Sequence, residues 1–445
     1  MKKSGICAVM AAGLLASGLS AGSAKAADLG GDCCADLEER VAELEATTVR
    51  KGNRKVSLTI SGWVAEQVTW WDDGVESNAY VSGIGKTLSS HFKMSGSANI
   101  SADVSAGYVL HVETNSADPT DTNQHNDDAG SGIYVLQSYW FLKSQSLGKL
   151  SVGQLSHASD NAALLVDGSG SLVPANWVHF DGLNFGLRVN GGPPSTATWA
   201  DLAYCRSISA GFAGDCNGYP NNAIRYDSPT FGGFSVSASW GEDDFWDVAG
   251  RYAGEFNGIK LAAAVAYHHT SEENTLLGQL GLGNTDGVAH RDSGYFQAGL
   301  YIEHVPTGLF AYGAYGQENN DTDWGNAAVN TNLRDGTTWY VKAGLRRRWT
   351  PLGHTVVYGE YSENLDHFSP TFAGQGMNDS TLRQWGVGIV QEIDAAAMSI
   401  WLSYRNLDAD FGCAAGRNRC TDLSGIQGND FDDLHIVKFG ALINF

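Results

Sequence analysis

From Val56 to Phe445 the side chains repeat with a period of two, and the links between the repeating runs are alternately short and long. A strand turns successive side chains to opposite faces, so this period marks strands with one apolar and one polar side. Val56, Leu58, Ile60, Val64, Val68 and Trp70 alternate with Ser57, Thr59, Ser61, Gln67 and Thr69. Phe92, Met94, Ala98 and Ile100 alternate with His91, Lys93, Ser95 and Asn99. The pattern predicts sixteen strands, near 56–71, 88–100, 104–115, 132–144, 148–155, 222–228, 231–241, 245–256, 258–269, 293–305, 307–318, 336–350, 354–363, 382–393, 395–406 and 434–445.

Short turns are expected at 101–103, 147–148, 229–233, 257–258, 306–308, 351–353 and Asp394-Ala395. Long polar loops fall at 116–131, 156–221, 270–292, 319–335, 364–381 and 407–433, with Glu242-Asp243-Asp244 the one brief member of that set. A soluble sandwich has no reason to sort its links by side. A membrane barrel does, with short turns on the periplasmic face and long loops outside. No run approaches the roughly 20 apolar residues a spanning helix needs, and the mean hydropathy is −0.20. The counts of 55 Gly, 13 Trp and 17 Tyr suit aromatic, glycine-rich strands, although a secreted β-sandwich or β-helix shares them. The expected fold is therefore all-β, a 16-stranded antiparallel transmembrane β-barrel.

Hydrocarbon offers no partner for backbone N–H and C=O, so a spanning sheet must close on itself. Sixteen strands enclose a lumen too wide for side chains to fill, and water occupies it. Strand phase then assigns sides. Trp339, Val341, Ala343 and Leu345 face lipid, which turns Tyr340, Lys342, Arg346 and Arg348 inward. Arg225, Arg251, Arg405 and Lys438 fall on the inward phase of their strands by the same counting. On the lipid face each cation would cost roughly 2–4 kcal/mol near mid-membrane. Two places break the phase: Glu66 points outward, and both faces of 133–142 are partly apolar. A subunit interface accounts for either, and so does a β-bulge.

The longest loop, about 156–221, opens with Ala162, Leu164, Leu165 and Val166 among Asp160 and Asp167. A fully solvated loop has no use for those apolar residues. Folding against the inner wall would cover them and set Asp160 and Asp167 opposite wall arginines, a constriction with a transverse field. The alternatives are an outward cap or a contact with a neighbouring subunit.

Residues 1–26 read as an export signal: Lys2 and Lys3, an apolar stretch, then Ala24-Lys25-Ala26 before the cleavage point. Three Lys leave with it and no acid, so the mature charge is −21 − 3 = −24. Residues 27–55 are expected to hold a short periplasmic helical segment. Within it Leu37, Val41, Leu44 and Thr48 form an a/d seam too short to be stable alone. Six Cys remain, and an even count in an exported chain favours disulfides. Cys205 with Cys216 and Cys413 with Cys420 would each close a short loop, while Cys33 and Cys34 are open to bonds between chains.

The runs Gln137-Ser-Tyr-Trp-Phe-Leu-Lys-Ser144, Leu147-Gly-Lys-Leu-Ser-Val-Gly-Gln154 and Ile224-Arg-Tyr-Asp-Ser-Pro-Thr-Phe-Gly-Gly-Phe234 resemble porins of alphaproteobacteria, the rhizobial type. The ending Ala441-Leu-Ile-Asn-Phe445 resembles the outer-membrane assembly signal of such barrels. The resemblance covers 56–445. It implies a homotrimer of sixteen-stranded barrels in the outer membrane of a Gram-negative cell, passing small hydrophilic solutes by diffusion. The third-loop role would fall on 156–180 and the wall arginine on Arg225. The Cys33-Cys34 helix departs from the family's better-known members.

An enzyme would need a nucleophile, a base and an orienting group together. There is no Gly-x-Ser-x-Gly, the 12 His are scattered, and no enzyme activity is expected. Neither Cys pair has His at ligand spacing and no loop has calcium-site spacing, so no metal or cofactor is expected. Acidic loops would meet lipopolysaccharide through divalent cations, which leaves a structural or binding barrel as an alternative. A sugar- or anion-selective channel is another. A charge of −24 disfavours nucleic acid.

Overall fold

The computed structural model describes residues 56–177, 181–205, 219–242, 244–271, 273–274, 289–290, 292–321, 323, 327–413 and 431–445. The expected export signal, the helical segment Asp36–Thr48, Cys33, Cys34, Cys216 and Cys420 lie outside them.

Sixteen antiparallel strands form one closed barrel. They are β1 (Thr59–Asp72), β2 in two pieces (Ser77–Ser82 and Ser90–Asn99), β3 (Val104–Asn115), β4 (Gly132–Ser144) and β5 (Gly148–Leu155). Then come β6 (Asn221–Asp227), β7 (Phe234–Gly241), β8 (Trp246–Phe256), β9 (Ile259–Thr270), β10 (Ser293–His304) and β11 (Leu309–Asn320). The last are β12 (Gly336–Thr350), β13 (Gly353–Leu365), β14 (Met377–Ile393), β15 (Met398–Cys413) and β16 (Leu434–Asn444). Each pairs with its neighbour in sequence, and β1 pairs with β16 from Trp63↔Asn444 to Asp72↔His435. Paired bonds between Gly62 and Phe445, at 3.0 and 3.1 Å, finish the seam. No spanning backbone is left at a free edge, as hydrocarbon demands.

The period of two sorts the faces as the sequence predicts. Val64, Val68 and Trp70 are exposed on the outer wall, while Ala65, Gln67 and Trp71 on the opposite phase are buried. Val341 is 48 % exposed and its neighbours Tyr340 and Lys342 are at 0 and 2 %. Trp70, Trp240 and Trp349 lie exposed near strand ends, where an amphipathic ring suits the interface.

The mixed phase of 133–142 is a bulge. His111 pairs with Gln137 but the next residue, Val112, pairs with Val135, so Leu136 is extra. Ile133 and Val135 face out before it, Trp140 and Leu142 after it. One inserted residue moves the apolar set from odd to even positions without turning it inward.

The expectations need three corrections. β2 is interrupted at 83–89, where Ile84 and Leu88 turn in and are buried, and its first piece occupies part of the loop that follows β1. β14 begins at Met377 and β15 runs to Cys413, which shortens the loops expected at 364–381 and 407–433. Above the membrane a strand needs no apolar outer face, so its pattern no longer announces it. The turn placed at Asp394-Ala395 spans Asp394–Ala397, with Ala397 left-handed at φ 47°.

Candidate functional site

The segment after β5 enters the barrel. Ala158, Ala162, Ala163 and Leu164 are almost wholly buried and Val166 nearly so, all within one core that includes wall residues Tyr301, Tyr312, Tyr340 and Trp401. The apolar residues of the loop opening thus have their cover, Leu165 only in part.

Polar contacts pin the loop along its course. Arg225 of β6 donates to the carbonyls of Ser156 and His157 at 2.8 and 3.1 Å. Arg251 of β8 donates to the Ala158 carbonyl at 2.5 Å. Asp247, also of β8, accepts from the Ser159 N–H and hydroxyl at 2.6 and 2.7 Å. On β10, Gln297 accepts from Ala163 N–H at 2.8 Å and donates to Ser159 C=O at 2.9 Å. Tyr312 of β11 donates to the Ala163 carbonyl at 2.9 Å.

The pin with most charge lies on β12. Lys342 meets Asp167 at 2.5 Å and Asn176 at 2.9 Å, with both charged side chains fully covered. Its ammonium sits 5.7 and 5.6 Å from the ring centres of Tyr312 and Tyr358. Register builds this place: Tyr312, Lys342, Glu360, Gly386 and Arg405 are successive partners across β11 to β15. At Gly386 a Cβ would lie 2.6 Å from Glu360 Oε1, so only glycine lets Glu360 reach across to Arg405 at 2.8 Å. Arg405 also donates to the Ala175 carbonyl at 2.8 Å.

Further on, Asp181 accepts from Lys438 of β16 at 3.0 Å and from Gln67 of β1 at 3.2 Å. The loop then rises to the mouth. There Arg188 binds Asp73 and Glu76, each at 2.6 Å. Burial opposes ionisation of Asp73, yet Arg188 and the Glu76 and Val75 N–H groups hold its carboxyl below the usual value. Burial pushes Asp118 nearby the other way, above that value. Tyr204 and Asp201 bond the backbone of His367 and Ser369, so the loop also reaches the segment after β13.

Asp167 lies opposite a lysine, whereas Asp160 accepts from Asn161 at 2.6 Å and has no ion pair among the described residues. Lys342 and Arg405 are covered by the loop. Arg225 and Arg346 stay about one-fifth exposed, and Arg346 holds Glu392 through three bonds of 2.9, 3.0 and 3.2 Å. Arg348 pairs with Asp394 at the turn end, away from the loop. Cys205 and Cys413 are each disulfide-bonded, with partners outside the described residues. Sequence reasoning missed Asp181, Gln297, Tyr312 and Glu360. The last three are polar residues on the inward phase of spanning strands, a signal that had singled out only cations.

No curated protein matches the chain. Solved structures share its fold at low identity, and three of them serve as examples. The anion-selective porin of Comamonas acidovorans has a TM-score of 0.54 and 15 % identity, covering 88 % of this chain and 100 % of its own. OprB of Pseudomonas putida gives 0.53 and 9 %, covering 92 and 97 %. Salmonella typhi OmpF in complex with daunomycin gives 0.51 and 13 %, covering 89 and 99 %. A family model described as Gram-negative porin matches residues 8–429. A closed barrel with a lumen-seated loop and that match lead to one conclusion: the chain belongs to the Gram-negative porin family, an outer-membrane channel for passive diffusion of small hydrophilic solutes.

Proposed function

We propose that the passage left beside the loop 156–205 favours cations. One observation carries the reading: the wall cations are largely neutralised in place. Arg225 pairs with Asp227, Lys342 with Asp167, Arg346 with Glu392, Arg405 with Glu360 and Lys438 with Asp181. Among the described residues Arg251, Lys93 and Lys149 keep no ion pair on the wall, and against these three stands the acidic mouth, where Asp127, Asp128, Glu242 and Asp244 are exposed. A like-signed rim raises the local concentration of counter-ions. Reversal potential across a salt gradient tests this: a cation-selective sign is expected, with a permeability ratio that shrinks at high salt. A reversal potential of anion sign overturns it, and block by dilute sugar would instead identify a substrate-selective channel.

The motifs at 137–154 and 224–234 support an alphaproteobacterial origin and a homotrimer set among outer-membrane lipid and lipopolysaccharide. Glu66 supports an interface on one side of the wall. It points outward beside the interruption of β2 and accepts from Ser116 at 3.0 Å. A neighbouring barrel would spare it contact with lipid. The porin in mild detergent is expected to sediment with the mass of three chains. Sedimentation as one chain, with Glu66→Ala leaving the mass unchanged, counts against the interface.

A further inference from the structure

We propose that His91, His111 and Glu113 form a binding site for a divalent transition-metal ion of the zinc type, at the interruption of β2. His91 pairs directly with Glu113 across the β2–β3 ladder, and His111 lies two residues along on the same face. One ligand atom from each of the three lies within 4.8 Å of the others. His111 Nε2 and Glu113 Oε1 stand 3.9 Å apart, and both are buried without a hydrogen-bond partner. Bonds of 2.0–2.2 Å in a tetrahedral site put ligand atoms about 3.4 Å apart, so the two need to close by only a few tenths of an ångström.

The surroundings orient the ligands as metal sites do. His91 Nδ1 lies 3.0 Å from the Ser89 carbonyl, a contact that places the proton on Nδ1 and the lone pair on Nε2. Glu113 Oε2 accepts from Thr87 N–H at 3.0 Å, which fixes the carboxylate and leaves Oε1 for the ion. Both supports come from the chain at the interruption, 83–89, or its edge. The edge of the Trp63 ring packs on His91 with centres 4.1 Å apart, and Trp63 Nε1 is held by Leu88 C=O at 2.9 Å. Lys93, across the ladder from His111, sets an opposing charge on the same wall.

Two imidazole nitrogens and one carboxylate oxygen suit zinc and its neighbours rather than calcium or magnesium, with a water as fourth ligand. The ion would bridge β2 and β3 where the ladder is weakened. The other buried trio, His157, Asp247 and His268, differs in that Asp247 already accepts from His157 Nδ1, Ser159 N–H and the Ser159 hydroxyl. It serves as the control.

The test is equilibrium dialysis of the folded, full-length porin against zinc chloride after chelator treatment. One ion per chain is expected, with affinity at least about tenfold weaker in His111→Gln and unchanged in His268→Gln. Retention of the unheated, compact band on gels verifies the fold of each variant, and Glu113→Gln provides a second removal should His111→Gln fail to fold. Absence of stoichiometric binding, equal binding by a folded ligand variant, or loss in His268→Gln alone overturns the assignment.

Discussion

Replacing Lys342 by Met is expected to raise single-channel conductance and let larger sugars into proteoliposomes, while the barrel itself stays folded. Lys342 is the only cation bonded to Asp167 among the described residues, and neither side chain touches solvent. Removing one member of a buried pair strands the other charge, at a cost of about 3–5 kcal/mol. The sixteen-strand ladder does not depend on this contact, so the loop should yield first. Asp167 would then be left with the Ser169 N–H at 3.0 Å and would move toward water. A sharper form of the test adds Asp167→Asn. If the stranded charge is the cause, the double variant should conduct more like the parent than Lys342→Met does. Parental conductance and solute cut-off in Lys342→Met would show that the pair does not hold the loop.

Gly299→Val attacks the same loop by volume rather than charge, and a comparable opening is expected. A Cβ on Gly299 would lie 2.2 Å from the Ala163 carbonyl oxygen and 2.8 Å from its Cα, both backbone atoms that cannot rotate away. The loop must lift, and lifting breaks the Gln297 and Tyr312 contacts with Ala163. Within the wall, Gly299 pairs with Ala264 and Ala314, a setting in which Val suits a strand. Gly313→Ala is the matched control, since its Cβ would meet nothing nearer than 3.7 Å. Larger conductance in Gly299→Val with parental conductance in Gly313→Ala is the expected pair of results. A folded Gly299→Val with unaltered conductance would mean that the loop does not narrow the passage.

Why was so much of the barrel legible, and the loop so little? Alternation reports a boundary between lipid and water, and every spanning strand meets that boundary. Val341 and Lys342 could be assigned to opposite sides from their positions alone. At Leu136 the same rule showed that something was wrong and offered a bulge as one of two causes. Residues 77–82 gave no such signal, and the second strand was expected only from 88. The loop obeys no period, so its apolar residues and its acids could be seen, but not their partners. Asp167 finds Lys342 because register sets that lysine beside Tyr312 and Glu360, over the loop's path. Glu360 reaches Arg405 because the strand between them carries Gly386. Both depend on which residues stand side by side around the wall, and a linear pattern does not contain that.

Asp181 touches the first and the last strand together, through Gln67 and Lys438. In a chain emerging from one end, these strands are the farthest apart in time as well as in sequence. The anchorage of the inner segment therefore stays incomplete until the cylinder has shut, and the two events finish as one. A polypeptide caught before its ends meet would hold this aspartate half-served, so the join between oldest and newest strand is also the last stitch in the gate.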